Sequence, residues 1–293
     1  MDAERPVDQY VQVRDIRTRY WSMGVGNSYV LLLHGLGGHL ENWEPNIAAL
    51  AWGRQVFALD LVGFGRTDKP PGRHSIPFLV DFVNDFMTVK GIPRATLIGE
   101  SLGGAIALRF ALERPDQVEK LVLADSVGFG RDVSIRWRIP TLPILGELLT
   151  LPSRTATAWN LRRGFRDPSR VTDQWIDEEY ELARLSGAQS SLLSTLRASA
   201  DLWGFKPETF RPILDHGRDI RMPTLIVWGA QDRTVPLALG RRGAQVLPNA
   251  QLHIFDNCGH EPNLERPDDF NQLVKDFLND TTPTVRRKSK PRR

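Results

Sequence analysis

The chain has 293 residues, 41% of them hydrophobic, with a single cysteine and a formal net charge of +3; this suffices for one large domain or a domain with a substantial insertion, and excludes a disordered or disulfide-stapled chain. The positive charge is local, because six of the last eight residues, 286–293, are Lys or Arg and their removal leaves 32 basic against 35 acidic residues. Residues 283–293 therefore read as a disordered basic tail, and no nucleic-acid-binding body is expected. The polar opening MDAERPVDQY and the lack of any run near ~20 apolar residues predict a soluble, leaderless chain with no membrane span. A cytoplasmic location suits the lone Cys258.

Along the chain, YVQVRDIRTRYWSMGVGNSY predicts one or two antiparallel strands with a Gly turn. Six apolar runs then read as strands: 29–33, 56–59, 95–99, 120–124, 224–228 and 252–255. None alternates cleanly with polar residues, as expected of parallel strands covered on both faces. Residues 103–115 form a helix apolar nearly all round, and PDDFNQLVKDFLND places Phe270, Leu273, Val274, Phe277 and Leu278 on one helical stripe. The interval from Ala124 to Thr224 is far longer than one crossover helix needs. It carries helical spacing of its own, with Thr172 as an N-cap before TDQWIDEEYELARL. The expected architecture is α/β: a mostly parallel central sheet with helices on both faces, formed by residues 1–128 and 208–282, and an inserted helical lid at 129–207.

Chemistry concentrates at the ends of these strands. HGLGGHLENW follows the first parallel strand, and with Asp60 it imitates a dinucleotide-binding fingerprint, but Leu40 stands where the third glycine is required. The alternative is an open glycine loop in which the backbone N–H of Leu36 faces an oxyanion. In GESLGG, a strand passing directly into a helix through Gly-x-Ser-x-Gly projects the Ser101 hydroxyl from the sheet edge and points the Leu102 N–H at the same place. His260, in NCGHEPNLERP between the last strand and the last helix, is the candidate base. Two carboxylates at strand ends could orient it, Asp125 and Asp232; the order Ser, Asp, His favours Asp232. The histidines show no HxxxH zinc spacing, so no metal and no organic cofactor is expected.

HGLGG, DLVGFGRTDKP, GESLGG, WGAQDRTVP and CGHEPNLERP, in this order over residues 25–280, resemble the α/β-hydrolase family. The resemblance implies Ser101 as nucleophile, Asp232 as acid, His260 as base, and Leu36 and Leu102 as oxyanion donors. Haloalkane dehalogenases and epoxide hydrolases of this fold use aspartate where Ser101 stands. The chain looks closer to lidded serine carboxylesterases and to hydrolases that cleave carbon–carbon bonds in aromatic ring-fission products. The latter commonly place Asn before the serine and Trp after the histidine, where this chain has Glu100 and Glu261. The expectation is therefore a serine hydrolase acting on small-molecule esters with water. Carbon–carbon hydrolysis and non-catalytic ligand binding are the alternatives. Gly35, Trp43, Trp137 and Trp159 are candidate substrate contacts, with Trp203 and further lid aromatics beside them, and Arg136, Arg138, Arg162 and Arg163 are placed to receive an acidic substrate. Nothing in the sequence sets the oligomeric state.

Overall fold

A computed structural model describes residues 5–280; the basic tail at 283–293 lies outside them. The chain opens with β1 (Gln9–Val13) and β2 (Ile16–Met23), followed by β3 (Tyr29–Leu33), α1 (Glu44–Leu50), β4 (Gln55–Leu59), α2 (Ile76–Val89), β5 (Ala95–Glu100), α3 (Leu102–Glu113) and β6 (Val118–Ala124). Next come five helices, α4 (Ile135–Arg138), α5 (Leu145–Leu149), α6 (Arg154–Gly164), α7 (Asp173–Ala183) and α8 (Ala188–Ser199), and the short hairpin of β7 (Ala200–Asp201) and β8 (Gly204–Phe205). The chain closes with α9 (Pro207–His216), β9 (Thr224–Gly229), α10 (Leu237–Val246), β10 (Ala250–Phe255), α11 (Pro262–Glu265) and α12 (Pro267–Asn279).

Eight strands make one sheet in the order β1-β2-β4-β3-β5-β6-β9-β10. β2 pairs antiparallel with both β1 and β4, and every neighbour from β4 onward in this order is parallel. Alternation along a strand divides the core between the faces: Leu31 and Leu33 of β3 join the cluster under α2 and α3, whereas Val30 and Leu32 join the cluster under α1 and α12. Because both of their faces are buried, the central strands β3, β4, β5 and β9 need no polar alternation. The helix after β5 is as buried as its composition implies, and the apolar stripe of α12 carries Phe270, Val274, Phe277 and Leu278 inward. Thr172 caps α7 by accepting from the Trp175 N–H.

The excursion between β6 and β9 leaves from the carboxyl edge of the sheet, where the loops after β3, β5, β9 and β10 also lie. Its two ends meet: the Phe205 N–H donates to the Arg131 carbonyl at 2.8 Å. Only then does α9 cross back, packed on α3, to the start of β9. Among the described residues no helix is long and apolar enough to cross a membrane.

Candidate active site

Ser101 sits between the last residue of β5 and the first of α3 with φ 49° and ψ −110°, a conformation that costs an L-residue energy unless its surroundings enforce it. They do so through the backbone: the Ser101 N–H donates to the Ala124 carbonyl at 2.9 Å, and its own carbonyl accepts from Ala105 and Val127. The helix can start so close to β3 only because residue 103 is glycine, since a Cβ there would lie 2.1 Å from the Leu33 carbonyl oxygen.

His260 reaches this serine from the loop after β10. Its Nε2 is 3.2 Å from Ser101 Oγ, and its Nδ1 is 2.8 Å from Asp232 Oδ2. The other Asp232 oxygen accepts the N–H groups of Thr234 at 2.6 Å and Val235 at 3.1 Å, which fixes the carboxylate in place. Burial opposes a charge on His260, but the Asp232 carboxylate and its hydrogen bond prevail and raise the imidazole above its ordinary pKa. Asp125, also fully buried at a strand end, turns one oxygen to the Gly229 N–H at 3.1 Å; burial, and then the Asp232 charge, push its carboxyl well above the carboxylate range. Of the two candidate acids, Asp232 touches the histidine.

Glu100 occupies an unusual position beside them. Its side chain is 7% exposed, and Oε1, 3.4 Å from His260 Nε2, has no hydrogen-bond partner. Burial, followed by the charges of Glu261 and Asp232, raises its pKa well above the usual value. The second oxygen occupies the space next to Gly35, where an added Cβ would lie 2.1 Å away, so the glycine loop and Glu100 are fitted to each other. The loop is held from behind by His34, whose Nε2 accepts the Leu61 N–H at 3.0 Å while Nδ1 faces the Gly35 carbonyl. Asp60 is a structural carboxylate, accepting from Leu40 and Arg66 N–H groups.

The serine opens into a cavity of about 240 Å³ whose walls include Gly35, Leu36, Leu102, Trp137 and His260. From α6 it receives Thr157, Asn160, Leu161 and Gly164, one helical face. Trp159 lies off that stripe, 52% exposed and beneath Arg163, and so does not reach the cavity. Nor does Trp43, fully buried in the core beside Phe270 under α12. Trp203 is on the outer surface. These three corrections share a cause: an aromatic residue in a turn or helix does not declare its direction. Conversely, Phe165 and Trp175, lid aromatics the sequence does not single out, line the cavity with Glu179, which sequence reasoning misses; the one available signal is that Trp175 and Glu179 stand four apart on α7 and share a face. The anticipated arginine receptor is absent: among the described residues no Lys or Arg lines the cavity. Arg136 comes nearest but is turned to Thr234 Oγ1 at 2.8 Å and the Asn160 carbonyl at 3.3 Å, while Arg138 binds the Val133 carbonyl.

Comparison with known proteins agrees with this fold. Over most of its length the chain is similar to 2-hydroxy-6-oxo-2,4-heptadienoate hydrolase of Pseudomonas putida, at 30% identity over 281 residues covering 93% of this chain and 96% of that one. Among solved structures it resembles a meta-cleavage product hydrolase of Pseudomonas fluorescens, with a TM-score of 0.80, 29% identity, and coverage of 94% of this chain and 98% of the other. It also resembles the enol-lactonase of Burkholderia xenovorans, with a TM-score of 0.78, 25% identity and coverage of 93% and 100%. The model of the alpha/beta hydrolase fold family matches residues 29–267, and the chain belongs to that family.

Proposed function

We propose that the protein is a serine hydrolase that cleaves small carboxylic esters through an acyl-enzyme on Ser101. The observation that carries this reading is the chain Ser101 Oγ, His260 Nε2, His260 Nδ1, Asp232 Oδ2, at 3.2 and 2.8 Å, opening on a cavity beneath the helices between β6 and β9. His260 takes the Ser101 proton as the oxygen attacks the ester carbonyl, and Asp232 holds the imidazole tautomer and stabilises the imidazolium. Leu102, first in its helix, has an N–H with no intrahelical acceptor, and with the Leu36 N–H it meets the oxyanion. The alcohol leaves with the His260 proton, and water activated by the same imidazole then releases the acid.

Replacing Ser101 by Ala is expected to leave the circular dichroism spectrum unchanged and to lower p-nitrophenyl ester turnover at least ~10³-fold. Retained turnover would overturn the reading. Carbon–carbon hydrolysis is the second reading, favoured by the dienoate-cleaving relatives. It is weakened because among the described residues no Lys or Arg lines the cavity to meet a substrate carboxylate, and loss of a ring-fission chromophore on addition of enzyme is its direct assay.

A further inference from the structure

The cavity's ionisable groups are of one sign. Besides His260, which is committed to Asp232, they are Glu100, Glu179 and Glu261. Glu179 already has partners, His39 Nε2 at 2.8 Å and Trp175 Nε1 at 3.3 Å. Glu261 has none: among the described residues no hydrogen bond or ion pair reaches its carboxylate, although it lines the cavity immediately after the base. Glu100 supplies an independent sign of unmet demand, since its buried Oε1 lacks a hydrogen bond, with only His260 Nε2 nearby at 3.4 Å, and its side chain lines the same space. Burial, against the pull of His260 and with smaller contributions from the charges of Glu265, Glu179 and Asp232, raises Glu261 to about 7. The surroundings are aromatic. The Glu261 stem lies by Gly164, where an added Cβ would be 3.9 Å from Glu261 Cγ, next to Phe165, which meets Trp175 edge to face at 5.4 Å. A carboxylate sharing a cavity wall with aromatic rings, where among the described residues no Lys or Arg lines the wall and the Arg136 charge acts only from behind it, is the chemistry that recognises an ammonium group.

We infer that the cavity selects substrates bearing a protonated amine, seated against Glu261 and the Phe165 and Trp175 rings, accepts uncharged ones, and rejects carboxylates. This rests on the ester-hydrolase reading only in taking the cavity to be the substrate's. It sets the chain apart from relatives named for dienoate substrates, which carry the opposite charge.

The test uses three ligands of one shape, phenethylammonium, 2-phenylethanol and phenylacetate, titrated calorimetrically at neutral pH into the full chain carrying Ser101→Ala, so that no turnover is needed. The ammonium is expected to bind at least ~10-fold more tightly than phenylacetate, with the alcohol between them. Adding Glu261→Gln should narrow that ratio at least ~3-fold and leave the alcohol's affinity unchanged. Equal or tighter binding of phenylacetate, equally weak binding of all three, or a ratio indifferent to Glu261→Gln would overturn the inference. In parallel, wild-type enzyme is assayed with butanoate esters of 4-(2-aminoethyl)phenol, 4-ethylphenol and 4-hydroxyphenylacetate. If none is hydrolysed while the ammonium preference persists, the ester reading fails and the inference stands.

Discussion

At the scale of single residues the site is a contest among carboxylates for one imidazole. Asp232 holds Nδ1 at 2.8 Å, Glu100 approaches Nε2 at 3.4 Å, and Asp125 stands one strand away, its oxygen within 4.8 Å of an Asp232 oxygen and a His260 ring nitrogen. Asp232→Asn should therefore lower kcat/KM for an ester by at least ~10³-fold, because the wrong tautomer is then favoured, whereas Asp125→Asn should cost much less. The same contact sets the pH profile. A base works when neutral, and His260 is raised above its ordinary pKa despite burial, so the acidic limb of kcat/KM should have its midpoint above the ordinary ~6.5. Asp232→Asn should shift that limb to lower pH, and a midpoint at or below ~6.5 in the wild type would contradict the assignment. Ser101, Asp232 and His260 are legible in the sequence because each stands beside a strand end, where topology rather than rotamer decides the neighbourhood. The directions of Trp43 and Trp159 are not, because only packing tells which way a large side chain turns.

Among the elements, α7 depends on a contact that no local pattern announces. Buried His39 bridges Glu41, at 2.6 Å from Nδ1, and Glu179 of α7, at 2.8 Å from Nε2, across 140 positions of sequence. Arg19 binds Glu41 from the other side and lies 3.4 Å from Asp60. Burial alone would depress His39, but Glu179 and Glu41 together raise it to about 10, so it remains protonated at neutral pH. A base raised on folding contributes stability that is complete below its unfolded pKa, near 6.5, and is lost as pH climbs through about 10. Urea midpoints should accordingly fall from pH 7 to pH 10, and His39→Gln should lower the pH 7 midpoint and flatten that slope. An unchanged midpoint at pH 7 would show that the bridge contributes nothing. The Thr172 cap and the stripe on α12 are readable because they obey local rules; the His39 bridge is not, because ion pairs between distant segments leave no periodicity behind.

The whole molecule is a sheet whose carboxyl edge carries the chemistry and an excursion whose helices enclose it. The six parallel strands are visible as short apolar runs, but their order is not, since β5 pairs with β3 and not with the preceding β4, and β6 pairs with β9 across the long excursion. How the helices between β6 and β9 sit over the edge is not visible, since α6 and α7 are largely polar and their few buried apolar side chains, such as Ala158 and Ile176, pack chiefly with Phe165 and Val171 of the same excursion, meeting the remainder at Leu264. If the excursion supplies enclosure and the sheet edge supplies reactivity, the two are separable. Replacing residues 132–204 with a short Gly-Ser link is expected to preserve a cooperative unfolding transition and labelling of Ser101 by a fluorophosphonate, while abolishing discrimination between the ammonium and carboxylate ligands. A variant that folds but resists labelling would show that the helices also build the reactive centre.

The hydrogen bond between Phe205 and Arg131 makes such an exchange topologically simple. It brings the two ends of a long segment to one point, so that everything between them is tethered through a single doorway and crosses no strand on its way out or back. A gene encoding this chain can lengthen, shorten or replace that segment in one recombination event without disturbing strand order. Ligand preference is thereby free to diverge faster than the reaction itself.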